Sequence, residues 1–331
     1  MNHVTDRTDC LCAGIVVVDH VCAPIDTIPD PGSLAETPSL TLTIGGCASN
    51  VAVDLTRLGL TASVAGTIGD DALGRFIHDE LVTAGVCCSN LETRSDVATS
   101  ATQVINVRGE DRRFIHATAA NRYFTAESIT DDVLDSISLL YLGGYCLADE
   151  PSAQRVEELF ARARQRDVVT MLDVVVPGPG EWDSRISPVL PVTDLFVPNE
   201  DEARLLSGID QPLKQAMHFH DLGAATVIIT RGDKGAILVN HQGGWEAATH
   251  DVPVVDATGG GDAFASGYIF GLLRGEPVEQ CLRLATAAGA CCVQSPGATT
   301  GMPDATQLQT LARETPLAIS RIGPIPEVAG P

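Results

Sequence analysis

The chain has 331 residues, 44% of them hydrophobic, which is enough for one large α/β domain or two modest ones around a buried core. A formal net charge of -22 argues against nucleic acid or an anionic membrane as partner, since both repel such a surface. No apolar run approaches membrane-spanning length, and the N-terminus carries Asp6 and Asp9 ahead of its first apolar segment, unlike a signal peptide.

The 10 cysteines are scattered through apolar segments, and Cys87-Cys88 and Cys291-Cys292 are sequence neighbours. That spacing suits neither a zinc motif nor an ordinary disulfide, so reduced, mostly buried thiols in a cytoplasmic protein are expected. His218 and His220 form an HxH with no other ligand cluster in sequence nearby, and ordinary helix or loop histidines are the expectation.

Residues 11–18 read as one buried strand closed by Asp19, after which Pro24, Pro29, Pro31 and Pro38 mark an irregular excursion. Residues 40–44 alternate apolar and polar side chains, the period of a strand with one wet face. Gly45 and Gly46 end it, a helix with Val51, Leu55 and Leu58 follows, and Gly59 caps that helix. A short strand at 62–65 leads into a glycine-rich turn (Gly66, Gly69, Gly74) and a helix through Leu81. Residues 99–107 and 113–117 read as a hairpin.

From residue 137 the rhythm changes to strands at 138–142, 168–176, 194–197 and 226–230, alternating with helices at 153–164, 200–206 and 214–220. Such alternation predicts βαβ units and a parallel sheet with ligands at the strand C-termini. The two segments with period 2, 15–45 and 96–121, read as a small β lid. The core then comprises 1–14, 46–95 and 122–315, and the proline-containing stretch 316–331 is expected to be irregular.

An apolar run from Asp251 leads into Asp256-Ala257-Thr258-Gly259-Gly260-Gly261-Asp262 and then a helical pattern. Glycines opening a helix present unpaired N–H groups and the positive end of the dipole, a site suited to phosphate. Asp262 beside those amides suits a base that takes a proton from an attacking hydroxyl. A flexible glycine turn with Asp262 as a helix-start charge has the same composition.

Three further stretches carry candidate chemistry. Gly45, Gly46 and Asn50 stand at a strand-to-helix junction, where a polyol could approach backbone amides. Asn199 and Glu202 share one side of a helical turn and could hold magnesium through water, or simply form an acidic helix start. Thr230, Gly232 and Gly235 suit contact with a nucleotide, or a plain hairpin turn.

Taken together, these motifs resemble, in order, those of the ribokinase-like (PfkB-type) carbohydrate kinases. That family usually has Gly-Ala-Gly-Asp where this chain has Gly-Gly-Gly-Asp, and ribokinases proper carry Lys where Cys47 stands. The resemblance implies a three-layer α/β/α core with a mainly parallel sheet and a β lid. It implies Asp262 as base, with Gly259, Gly260 and Gly261 as the anion hole. Asp19, Gly45, Gly46 and Asn50 would bind the acceptor, Thr230, Gly232, Gly235 and Gly297 the nucleotide, and Asn199 with Glu202 magnesium through water.

The implied cofactors are ATP and Mg2+, with a monovalent cation such as K+ at Asp256 and Thr258, although Gly301 stands where potassium-dependent members have a hydroxyl. The expected reaction is transfer of the γ-phosphoryl group to a small unphosphorylated sugar or polyol, in a homodimer joined through its lids. A nucleoside kinase and a non-catalytic binding relative are the alternatives. His116, Asn121 and Asp173 are read as structural.

Overall fold

The computed structural model describes residues 7–110 and 112–323. The N-terminal apolar run does not make one strand: it breaks after β1 (Thr8–Gly14), and the chain resumes as β2 (Val17–Ile25) in a different sheet. Gly14 forces the break, with φ at 124° and a backbone so close to Gly143 that a Cβ would lie 2.1 Å from its carbonyl oxygen. Asp19 therefore lies within β2 rather than ending a core strand.

The chain continues through β3 (Leu40–Gly45), α1 (Cys47–Arg57), β4 (Ala62–Gly69), α2 (Ala72–Thr83) and β5 (Cys87–Arg94). Then come β6 (Ala101–Val107), β7 (Arg113–Ala117), α3 (Asp131–Asp135), β8 (Ile137–Tyr145), α4 (Ala153–Arg164) and β9 (Val169–Val174). After α5 (Asp183–Ile186) follow β10 (Leu195–Phe196), α6 (Glu200–Ser207), α7 (Pro212–Asp221), β11 (Thr226–Thr230), β12 (Ala236–Asn240) and β13 (Gly243–Ala247). The described chain closes with α8 (Gly260–Leu273), α9 (Val278–Cys292), α10 (Ala305–Glu314) and β14 (Ile319–Ile322).

The large sheet has the order β14-β13-β12-β11-β10-β9-β8-β1-β4-β5, parallel from β11 to β5 and antiparallel beyond β11. Successive residues of a strand face opposite ways, and both faces here are apolar. Cys10 and Cys12 enter one core with Val51 and Leu55 of α1 and Ile269 of α8. Leu11 and Ala13 enter the other with Phe160 of α4 and Phe219 of α7. The result is the expected three-layer arrangement, with β1 at the switch point between β4 and β8.

The second sheet, β3-β2-β6-β7, is the lid. Pro24 falls where the β2–β6 register shifts between Cys22 and Ile25, the kind of irregularity at which a strand tolerates proline. Gly59 adopts φ 80° just after α1, as its capping position requires.

A further reading needs correction. The expected irregular tail contains β14, which pairs antiparallel with β13 and covers an otherwise open sheet edge. Ile319 and Ile322 supply its half-buried contacts, and Pro316 stands just outside it; residues 324–331 lie outside the described residues. The apolar run from Asp251 forms no strand, and Val254 and Val255 are exposed. Among the described residues no helix is long and apolar enough to cross a membrane.

Candidate active site

Parallel strands deliver their C-terminal ends to one edge, and most of the singled-out residues arrive there. Asp173 lies near the end of β9, Asn199 follows β10 and bridges Thr230 at the end of β11, and Gly46 caps α1 close to the β1 break. Gly46 has φ 88°, and a Cβ there would meet the Ile15 carbonyl at 2.5 Å. A Cβ on Gly45 would lie 2.2 Å from Asp19 Oδ2, so that carboxyl group rests directly over the glycine backbone.

Asp262 occupies the first turn of α8, and Asn50 of α1 donates from Nδ2 to its Oδ2 at 2.8 Å. Burial raises the Asp262 pKa, while hydrogen bonds from Asn50 and Cys47 oppose the rise. The three glycines before it differ in cause. Gly259 adopts φ 76° and would strike the Ala298 oxygen at 2.2 Å if it bore a Cβ. Gly260 would press on Val293 at 3.1 Å, whereas Gly261 has no neighbouring atom within 4 Å of that position. Intramolecular packing therefore explains Gly259 and leaves open space in front of Gly261.

Asp256 organises the loop ahead of that helix. It accepts from Thr258 N at 2.9 Å, Thr258 Oγ1 at 2.6 Å and Gly297 N at 2.9 Å. Arg112, carried on the lid just before β7, donates to Asp256 Oδ1 at 3.0 Å and also to Thr258 Oγ1. Burial alone would raise the Asp256 pKa, but these partners outweigh it and hold the carboxyl below its usual range. Asp256 and Thr258, expected around a monovalent cation, thus both meet a guanidinium.

Asn199 and Glu202 form a capping box: Asn199 Oδ1 accepts from Glu202 N at 2.9 Å and Glu202 Oε2 accepts from Asn199 N at 2.9 Å. Burial pushes the Glu202 pKa up to about 7, with the Asp262 charge adding to the rise. Thr230 ends β11, and Gly232 and Gly235 lie in the connection to antiparallel β12, so the hairpin reading of that stretch holds. Gly235 is needed there, since a Cβ would sit 2.0 Å from the Ala247 oxygen. The two basic residues of the loop turn to acids: Arg231 pairs with Glu246 at 2.8 Å and Lys234 with Glu200 at 3.5 Å.

Between lid and core lies a cleft of about 890 Å³, lined by Thr41 and Thr43 on the lid and by Asp256, Ala257 and Gly297 on the core. Asp19, on the same lid face as Thr43, has its pKa pushed up to about 6 by burial, with Asp262 and Asp256 adding to the rise against a Thr102 hydrogen bond.

The structure also gathers residues that sequence reasoning passed over. Asp173 is not remote: one of its oxygens, Cys47 Sγ and an Asp262 oxygen all lie within 4.8 Å of one another. Tyr141 Oη donates to Asp173 Oδ2 at 2.7 Å. The signal for Asp173 was its place at the C-terminal end of a parallel strand. By contrast, Asn121 Oδ1 accepts from Val16 N at 3.1 Å and His116 Nδ1 meets Thr102 Oγ1 at 3.0 Å, both holding backbone or lid in place.

The family model for the pfkB family carbohydrate kinases matches residues 7–305. The chain is 26% identical over 310 residues to an ATP-dependent 6-phosphofructokinase of Thermoanaerobacterium thermosaccharolyticum, covering 92% of this chain and 94% of that protein. It is 28% identical over 310 residues to an aminoimidazole riboside kinase of Salmonella typhimurium, covering 89% and 94%. A solved structure of an E. coli putative ribokinase II in complex with ATP and Mg2+ superposes with a TM-score of 0.79 at 22% identity, covering 93% of this chain and 100% of that one.

Proposed function

Because this chain belongs to the pfkB family of carbohydrate kinases, we propose that it transfers the γ-phosphoryl group of ATP to a hydroxyl of a small, unphosphorylated sugar or polyol. The observation that carries this reading is Asp262. Its carboxyl group stands at the start of α8, held by Asn50, one residue beyond the open backbone at Gly261.

Asp262 accepts the hydroxyl proton as the acceptor oxygen attacks. The N–H groups at Gly259, Gly260 and Gly261 take up charge on the transferring group. Because phosphoryl transfer runs through a loose transition state, holding acceptor and donor in line matters more than the strength of the base. Asp19 and Asn50, with the bare backbone at Gly45 and Gly46, orient acceptor hydroxyls. Thr230, Gly232, Gly235 and Gly297 line the nucleotide side.

Asn199 Oδ1 and the Glu202 carboxylate are oxygen acceptors, and the capping box uses part of their capacity, so both retain lone pairs for magnesium-bound water. The ion, when bound, neutralises phosphate charge. At Asp256 and Thr258, Arg112 rather than potassium supplies the positive charge.

Carboxylates crowd the acceptor side: Asp19 and Asp173 both feel the charge of Asp262. Such a site repels a phosphate or carboxylate on the acceptor and favours a neutral one. A second reading, a nucleoside acceptor, is favoured by Phe114. It shares a register rank with Val104, Val21 and Thr41, hence the lid face that lines the cleft, and an exposed ring there suits a nucleobase.

A screen of ATP consumption against sugars, polyols, sugar acids and nucleosides tests these readings together. Turnover with neutral sugars supports the first, turnover with nucleosides alone supports the second, and micromolar ATP binding without turnover on any acceptor supports a non-catalytic relative. The outer lid face exposes Leu40, Leu42 and Ile115, so the protein is read as a lid-to-lid homodimer; its ten free thiols suit a cytoplasmic setting.

A further inference from the structure

We propose that Cys47, Asp173 and Asp262 form a binding site for a soft divalent cation, zinc or cadmium, and that this ion turns the kinase off. The three side chains come from the start of α1, the end of β9 and the first turn of α8, and their ligand atoms lie within 4.8 Å of one another. Zinc bonds of about 2.0–2.3 Å require ligand atoms somewhat closer together than that limit, a distance small side-chain rotations cover. A thiolate among carboxylates favours zinc or cadmium over magnesium, which takes oxygen ligands.

The surroundings hold these ligands in place. Gly143 has no side chain where a Cβ would come within 2.8 Å of both Cys47 Cβ and Tyr141 Oη, so the thiol and the phenol pack over bare backbone. Tyr141 donates to Asp173 Oδ2 at 2.7 Å, the kind of outer hydrogen bond that orients a ligating carboxylate and leaves its other oxygen for the metal. An independent feature points to the same place. Asn50 is 4% exposed, and its amide nitrogen holds Asp262 at 2.8 Å. Its buried Oδ1 on that same planar amide has no hydrogen-bond partner among the described residues. That oxygen, which orients an acceptor hydroxyl in the phosphoryl-transfer reading, is available to the metal as a fourth ligand when no acceptor is bound.

On binding, a sulfur–metal bond forms, the thiol proton passes to solvent, and Asp262 coordinates the metal through a carboxylate oxygen. A carboxylate so engaged no longer accepts a hydroxyl proton. The inhibition rests on the phosphoryl-transfer reading above; the binding does not.

The test titrates full-length, metal-free protein with cadmium, following the ultraviolet cadmium–thiolate charge-transfer band, and with zinc by calorimetry. Parallel titrations use Cys47→Ser, Asp173→Asn and, as a control at an exposed thiol, Cys87→Ser. Circular dichroism verifies that each variant is folded. The expected result is a cadmium–thiolate band in wild type and Cys87→Ser that is lost in Cys47→Ser, with zinc affinity at least about tenfold weaker in Cys47→Ser and Asp173→Asn. Equal bands and equal zinc affinity in wild type and Cys47→Ser overturn the site, whether or not the protein phosphorylates anything. With an active acceptor and excess magnesium, zinc is expected to suppress wild-type turnover and a chelator to restore it, while Cys47→Ser keeps its own metal-free rate. Zinc binding at the site with undiminished turnover overturns the inhibitory role.

Discussion

Asn50 Nδ2 lies 2.8 Å from Asp262 Oδ2 across 212 positions of sequence. One end of that bond belongs to α1, which starts beside Gly45 and Gly46, and the other to α8, which starts at Gly259 to Gly261. The contact joins the two halves of the proposed site and fixes where Asp262, the proposed base, stands relative to both.

The glycines of the proposed anion hole separate packing from function. Gly259→Ala places a methyl group against the Ala298 carbonyl at positive φ and is expected to destabilise the protein by more than about 1 kcal/mol. Gly261→Ala meets empty space and lies in a helix, so it is expected to stabilise by up to about 1 kcal/mol while lowering turnover. Thermal unfolding and steady-state rates on the two variants check this. A Gly261→Ala enzyme with unchanged kinetics would remove the close approach of phosphate to that backbone.

Arg112 offers a test of what stands beside Asp256. Both side chains are largely shielded, at 21% and 12% exposure, so their pairing is little screened. Wild-type turnover is expected to be the same in potassium and choline salts. Arg112→Ala is expected to lose about tenfold in kcat/KM, the worth of one charged hydrogen bond, and to become stimulated by potassium. Wild-type activity that collapses without potassium would contradict this account.

Glu202 predicts a pH dependence of stability. Its pKa rises from 4.5 to about 7 on folding, so the folded chain retains a proton that the unfolded chain loses between those values. The contribution is full below about pH 4.5 and is lost as pH rises through 7. Glu202→Gln keeps the capping box, because glutamine can fill the same role. The variant's stability relative to wild type should grow between pH 4.5 and 7; denaturant melts of the ligand-free proteins showing a constant difference would refute the shift.

For the proposed dimer, Leu42 is the probe. It is 41% exposed on the lid face turned away from the cleft, beside Leu40 at 58% and across the sheet from Ile115 at 65%. Ile44, expected on the same apolar face, instead packs partly onto the main core and is a poor probe. Light scattering should report a wild-type dimer at micromolar concentration and a Leu42→Glu monomer, since a carboxylate buried in an apolar contact is costly. A monomeric wild type, or a dimer indifferent to the substitution, removes the lid from the interface.

What could be read from sequence was local. Gly45 and Gly46 announce a strand-to-helix junction and Gly259 a helix start, because their backbones take conformations or contacts a side chain forbids, and Asp262 follows in the first turn of that helix. The parallel core was legible from the alternation after residue 137. Asp173, Tyr141, Cys47 and Arg112 were not, because their roles come from convergence of distant segments rather than from neighbours in sequence. The Thr230–Gly235 stretch stayed ambiguous for a different reason: it is a hairpin connection, and turn chemistry and phosphate contact call for the same residues. The strand β14 was hidden by flanking prolines, although its pairing needs only four of the residues between them and the open edge of β13.

The central claim is that Asp262 is the base, and Asp262→Asn tests it most directly. Asparagine preserves size and can still meet Asn50, so folding and calorimetric ATP binding are expected to persist. With the acceptor found in the screen, kcat is expected to fall by about 10²-fold or more, the range that loss of a general base costs. Near-wild-type turnover in a folded, ATP-binding Asp262→Asn protein would contradict the account.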